Sequence, residues 1–143
     1  MKEIIKNISK SSKINNNIYS LKPKGYWSNL DKTDNKKFLD NINKLGTRAA
    51  VKNLNKDFLI DAIYSKKRSK GLNLLNLKGN ELAVDFGCMW GAITIPLAKR
   101  VKKVISIDQT EDSLIFLSKR AKENKLKNIQ LLHENLRKIN LKK

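Results

Sequence analysis

Leu82-Ala83-Val84-Asp85-Phe86-Gly87-Cys88-Met89-Trp90-Gly91 is the stretch that decides the fold. Its apolar opening is too short for a helix and runs into a turn bracketed by Gly87 and Gly91, after which Ala92-Ile93-Thr94-Ile95 restores helical spacing. A change of period from strand to turn to helix is how an α/β nucleotide-binding unit begins. Glycine has no Cβ and reaches positive φ without strain, so main chain can approach a ligand closely in such a turn, and the first turn of the helix adds unpaired N–H groups.

Downstream, Pro96 predicts that the helix starts at the glycine turn itself, because proline is tolerated only where its missing N–H would have had no intrahelical partner. A second strand is predicted at Val104-Ile105-Ser106-Ile107, ending at Asp108. Gln109-Thr110 then leads into a helix capped by Thr110, with Glu111 and Asp112 in its first turn, Leu114, Leu117 and Ala121 on one face, and cations toward its end. Asn128-Ile129-Gln130-Leu131-Leu132 reads as a third strand, followed closely by Asn135-Leu136. The order β-α-β-α-β predicts half of a parallel, doubly wound Rossmann-like sheet with right-handed crossovers. Its ligand crevice belongs at the carboxyl ends of the strands, where Gly87, Asp108 and Asn135 would converge.

Upstream, the pattern is helical. Asp34 can cap a helix carrying Phe38, Leu39, Ile42 and Leu45, stopped by Gly46; Thr47 can cap a short second helix through Val51 and Leu54; a third starts near Asn55 with Phe58, Leu59, Ala62 and Ile63 on one face. It runs into Lys66-Lys67-Arg68-Ser69-Lys70, which could grip phosphate but also suits the negative end of a helix. Leu72, Leu74, Leu75 and Leu77 form a short apolar segment before the turn Lys78-Gly79-Asn80. Residues 1–17 show no sustained period and are expected to fray, and Gly25-Tyr26-Trp27 offers two aromatics that either anchor an arm on the core or stack on a ligand. The expected organisation is an N-terminal arm and helical region over residues 1–75 and a partial Rossmann-like domain over 76–143.

At 143 residues and 40% apolar content the chain can build one core. The single cysteine excludes a disulfide framework, and neither a signal-like h-region nor a membrane-length apolar run is present, so a cytoplasmic location is expected. The net charge of +18 invites a polyanion such as nucleic acid. It is spread over both halves, with 18 basic and 6 acidic side chains in residues 1–80 and 13 and 7 in 81–143, so a lysine-rich solvated surface is the plainer reading.

Two ligands commonly occupy such a crevice. A dinucleotide fingerprint beginning at Gly87 needs glycine where Met89 stands, so that backbone can approach a pyrophosphate. S-adenosylmethionine carries no phosphate and needs a glycine turn beside its methionine end and an acid for its ribose hydroxyls; Asp108 lies 21 positions after Gly87, at the spacing of a ribose-binding acid. Taken with the strands ending at Asp108 and Leu132, residues 84–91 resemble the first three motifs of class I S-adenosylmethionine-dependent methyltransferases, over roughly residues 70 to 138. The resemblance implies that Asp85, Gly87, Cys88 and Gly91 surround the methionine end of the cofactor, that Asp108 accepts hydrogen bonds from the ribose hydroxyls, and that Asn135 and Leu136 border the adenine, with Glu134 a rival of Asn135; Gln109 is counted among the cofactor-binding residues. Met89 and Trp90 replace the family's middle glycine and a small residue. The family draws acceptor-side residues from the fourth strand onward, so a chain truncated after the third strand is expected to bind cofactor with little activity of its own; acceptor, catalytic residues and oligomeric state stay unassigned.

The rival reading is a non-catalytic basic module, binding nucleic acid or another partner, with a degenerate Rossmann-like half. Cys88 with His133 lacks the third group that a nucleophilic pair needs, and one cysteine with one histidine makes no structural zinc site.

Overall fold

A computed structural model describes residues 5, 6, 8–15, 17–23 and 32–142. At its centre lies a five-stranded sheet of order β1-β2-β5-β4-β3, formed by β1 (Ser12–Asn15), β2 (Ile18–Ser20), β3 (Leu82–Phe86), β4 (Lys103–Asp108) and β5 (Ile129–His133). The strands β3, β4 and β5 pair in parallel, with Val84 opposite Ile105 and Ile107 opposite Leu132. This is the predicted β-α-β-α-β half, with α4 (Thr94–Ala98) and α5 (Glu111–Glu123) as crossovers. Strand β4 has a paired neighbour on each side, and all but its first residue is buried, which is why it reads as a near-continuous run without alternation.

The first strands overturn the expectation that the start of the chain frays. β2 adds to β5 in parallel, Ile18 opposite Leu131, and β1 folds back on β2 antiparallel. Ile5 and Ile8 pack with Ile105, Ile107 and Leu132. Strands of three and four residues are too short to show a period, and β5, which holds β2 in the sheet, lies more than a hundred positions away, so local pattern could not reveal them. The two ends of the chain therefore share one sheet, across the expected boundary at residue 75. Tyr26 and Trp27 lie outside the described residues.

Three helices follow: α1 (Lys32–Leu45), α2 (Thr47–Lys52) and α3 (Asp57–Tyr64). Phe38, Ile42, Ala50, Val51, Leu59 and Ile63 make a second core that closes on Trp90 and Phe116. Phe38 lies 4.9 Å from Trp90 and 5.5 Å from Phe116, ring centroid to ring centroid, so the tryptophan of the glycine turn is clamped between α1 and α5. Such pairs add about 0.5–1.5 kcal/mol beyond the area they bury. The expected cap on α2 is replaced. Gly46 takes φ +83° as N-cap, and the carboxylate of Glu123 on α5 accepts from the Thr47 N–H at 2.9 Å and from its hydroxyl. Phe58, expected on the packed face of α3, is 66% exposed, and of the leucines after α3 only Leu72 is buried.

Candidate cofactor-binding site

The strand ends converge as the topology predicts. Gly87, Met89, Asp108, Gln109, Asn135, Leu136 and Arg137 line one hollow of about 610 Å³ at the carboxyl ends of β3, β4 and β5. Gly87 has φ +69°, and both its N–H and that of Cys88 donate to the carbonyl of Ile107, tying the turn to the end of β4. A Cβ on Gly87 would come no nearer to other atoms than 3.8 Å, from Leu136 Cδ1, so the bare glycine keeps this wall open.

Met89 holds a conformation that usually falls to glycine, φ +42°. Its N–H donates to Asp108 Oδ2 at 2.8 Å, which offsets the strain of a left-handed side-chain-bearing residue, about 1–2 kcal/mol. The other carboxylate oxygen, Oδ1, accepts from the Thr110 N–H at 2.9 Å. Asp108 thus supplies the cap of α5 that was expected from the Thr110 side chain, which makes no capping bond. A carboxylate accepts about four hydrogen bonds, so two from main chain leave room for hydroxyl donors.

Asn135, not Glu134, lines the hollow: Glu134 is buried and its Oε1 accepts from the Asn135 N–H at 2.6 Å. The Asn135 side-chain oxygen accepts from the Arg137 N–H and caps a 3-10 turn at Leu136–Lys138. Gln109 lines the hollow while its carbonyl lies 3.1 Å from His133 Nε2; His133 Nδ1 is 3.0 Å from the Ser20 hydroxyl, so this ring joins β2, β5 and the end of β4.

The remaining motif residues lie elsewhere. Asp85 and Cys88 line a second, smaller hollow of about 220 Å³, which shares Gly87 and Met89 with the first and is otherwise walled by Trp90, Ala92, Ile93, Arg68 and the α3 residues Phe58, Leu59, Ala62 and Ile63. The Asp85 carboxylate accepts from the Thr94 hydroxyl at 2.5 Å, and Ser106 donates to Thr94 behind it. Burial lifts the Asp85 carboxyl above the usual range, the Thr94 bond works against that, and Asp108 adds a smaller upward push. Burial raises the Cys88 thiol well above its ordinary range, with Asp108 and Asp85 reinforcing it, the opposite of what a nucleophilic cysteine needs. Gly91 lines neither hollow; a Cβ there would collide with Leu117 Cδ1, so its place in the motif serves the packing of the turn on α5. Sequence reading did not single out Arg137 or the α3 wall as site residues. Arg137 follows Leu136 directly, whereas the α3 residues carry only a helical period that any core helix would show.

The parallel half-sheet, its glycine turn and the strand-end hollow make a Rossmann-like unit of the kind that binds S-adenosylmethionine in methyltransferases. Residues 83–143 match the family model described as a methyltransferase domain, consistent with a class I S-adenosylmethionine-dependent methyltransferase. Similar proteins include the "Probable cobalt-precorrin-6B C(15)-methyltransferase (decarboxylating)" of Methanococcus maripaludis, 35% identical over 46% of this chain and 36% of its own length. The ribosomal RNA small subunit methyltransferase A of Wigglesworthia glossinidia brevipalpis is 31% identical over 65% of this chain and 34% of its own. Among solved structures, an rRNA methylase from Streptococcus thermophilus is 30% identical, covering 40% of this chain and 34% of its own, with a TM-score of 0.39. The chain spans about a third of the length of the curated relatives it matches. Among the described residues no helix is long and apolar enough to cross a membrane, and no group of three or more His, Cys, Asp or Glu could hold a metal ion.

Proposed function

We propose that residues 76–143 are the cofactor-binding part of a methyltransferase, with residues 1–75 bracing it: the hairpin extends its sheet and α1–α3 wall one side of the glycine turn. The adenosyl end occupies the strand-end hollow. Asp108 and Gln109 take the ribose hydroxyls, Asn135 and Leu136 border the adenine, and Gly87 lets the main chain approach. The methionine end lies toward Asp85 and Cys88, and Gly91 supports that wall from behind. The residues fit the group on one observation above all: the strand-end positions Gly87, Asp108 and Asn135, widely separated in sequence, line a single hollow of about 610 Å³, within the usual size of small-molecule sites.

The cofactor, when bound, supplies an electrophilic sulfonium methyl. What these residues contribute is binding and orientation, together with the exclusion of water by the apolar walls of the second hollow. The isolated chain is expected to bind cofactor with little turnover, which a methyl-transfer assay on it tests. The net charge of +18 and the RNA-modifying relative support a nucleic-acid acceptor. Calorimetric titration with S-adenosylhomocysteine tests the reading: saturable binding lost in Asp108→Ala supports it, and absence of binding by the natural chain overturns it. The second reading, a non-catalytic basic module, draws support from the Asp108 carboxylate, which already serves two main-chain donors and would hold this turn with no ligand. It predicts no cofactor binding in either form and a cytoplasmic nucleic-acid partner.

A further inference from the structure

We propose that a third hollow, beside the apolar one, is a phosphate-binding subsite for the methyl acceptor, formed by Lys66, Lys99, Ser65 and Ser69 around the buried guanidinium of Arg120. The hollow holds about 220 Å³ and shares Ile63 and Ala92 as a wall with the apolar hollow. A group seated there therefore lies one side chain's breadth from the space that opens onto the glycine turn.

The charge of this place is the argument. Arg120 is 6% exposed, and its terminal nitrogens donate to two neutral acceptors, the carbonyls of Trp90 at 2.8 Å and Ile63 at 3.0 Å. Its Cζ lies 4.4 Å from the centre of the Tyr64 ring, and its Nε has no partner among the described residues. The carboxylate of Glu123, whose charge also acts on Arg120, is engaged by the N–H and hydroxyl of Thr47. Among the described residues Lys66 and Lys99 form no ion pair, whereas adjacent Lys67 is held by Asp61 at 3.2 Å. Three cations thus face one cavity without a carboxylate on its lining, next to the hydroxyls of Ser65 and Ser69. Ammonium groups act as point charges toward phosphate, and the Ser65 hydroxyl adds a donor, while the Ser69 hydroxyl, which donates to the Lys66 carbonyl at 3.0 Å, fixes the turn that carries Lys66.

S-adenosylmethionine has no phosphate, so a phosphate bound here belongs to the acceptor; that assignment rests on the methyltransferase reading. The phosphate is either a phosphodiester of a nucleic acid or the monoester of a small metabolite, and both are tested. The full chain is titrated at fixed ionic strength with inorganic phosphate, decauridylate and uridine 5′-monophosphate, following backbone amide shifts by NMR. In Lys66→Gln/Lys99→Gln, two exposed positions where substitution leaves stability nearly unchanged, affinity for inorganic phosphate is expected to fall at least tenfold. Lys36→Gln/Lys37→Gln on α1 removes the same charge and is expected to change it less than twofold. If a phosphodiester is the ligand, decauridylate binding falls with the first variant and its salt slope drops by about 0.7. If a monoester is the ligand, only the uridine monophosphate arm follows inorganic phosphate. Equal losses in both variants, or phosphate-dependent shifts scattered away from Ser65, Lys66, Ser69 and Lys99, overturn the subsite. S-adenosylhomocysteine is titrated in parallel: cofactor binding with no phosphate recognition sinks this inference alone, and phosphate recognition without cofactor binding sinks the acceptor assignment.

Discussion

The two hollows that meet at Gly87 and Met89 are built on opposite principles. The strand-end hollow is made of main-chain turns whose sequence order follows the sheet: Gly87 after β3, Asp108 and Gln109 after β4, Asn135 after β5. The hollow on the other side is made of side chains from α3, Trp90 and Ile93, brought together by the packing of Phe38 and Phe116, with Asp85 and Arg68 as its charged edge. One is a consequence of topology and the other of a core. Substitutions should therefore fall into two kinds, those that remove ligand recognition and those that only loosen packing.

Asp108→Ala should have the largest effect, because it removes a buried carboxylate that holds both the left-handed turn at Met89 and the start of α5. Hydrogen bonds to a charged group contribute about 1.5–3 kcal/mol each. S-adenosylhomocysteine affinity is expected to fall at least a hundredfold by calorimetry, and thermal stability should drop as well. A variant that still binds within threefold would break the contrast, making the strand-end hollow an accident of topology. Next comes Gly91→Ala, which pits a new methyl against Leu117 at φ +79°. Overpacking costs about 1–3 kcal/mol and the left-handed conformation about 1–2 more, or roughly 5–15 °C in melting temperature for a domain of this size. Cofactor affinity measured on the folded fraction should change less than threefold, since Gly91 lines neither hollow.

This division also explains what was legible in the chain. The parallel half and the convergence of Gly87, Asp108 and Asn135 could be read because each strand announces its own end with a turn residue, and the crevice then follows from right-handed crossovers. The double service of the Asp108 carboxylate could not, since it depends on a turn 19 positions earlier folding back to meet it. Nor could the hairpin of β1 and β2, whose isoleucines carry no period until β5 gives them a partner. The α3 wall was visible as a helix but not as a wall, and Phe58 shows the difference: its spacing matches Leu59 and Ile63, yet only those two are buried.

Smaller effects sharpen the contrast at Asp85. Burial holds its carboxyl above the ordinary range, so the folded chain binds this proton more tightly than the unfolded chain does. Stability on this account is greatest below the unfolded pKa and declines as pH rises through the folded one. Asp85→Asn abolishes that decline: its melting temperature is expected to equal or exceed that of the natural chain at neutral pH, with the gap closing as pH falls toward the range of free carboxylates. A gap that widens on acidification would mean that the charged form is the stabilised one. Smaller still is Met89→Gly, which relieves a left-handed side chain by about 1–2 kcal/mol and adds about 0.5–1 kcal/mol of unfolded-state entropy, for a net change within about 1 kcal/mol.

The smallest effect belongs to Phe58, and it tests the apolar hollow most directly. A phenylalanine truncated in a core costs about 3–5 kcal/mol, but this ring is 66% exposed at the mouth of the hollow, where surface substitutions usually stay within about 0.5 kcal/mol. Phe58→Ala is therefore expected to leave both the melting temperature and S-adenosylhomocysteine affinity nearly unchanged. If the apolar hollow receives the acceptor, the same variant weakens acceptor capture while cofactor binding stays intact, because the ring touches only the side of the glycine turn built by α3. Loss of cofactor affinity in this variant would instead merge the two hollows into one site and erase the distinction between topology and packing.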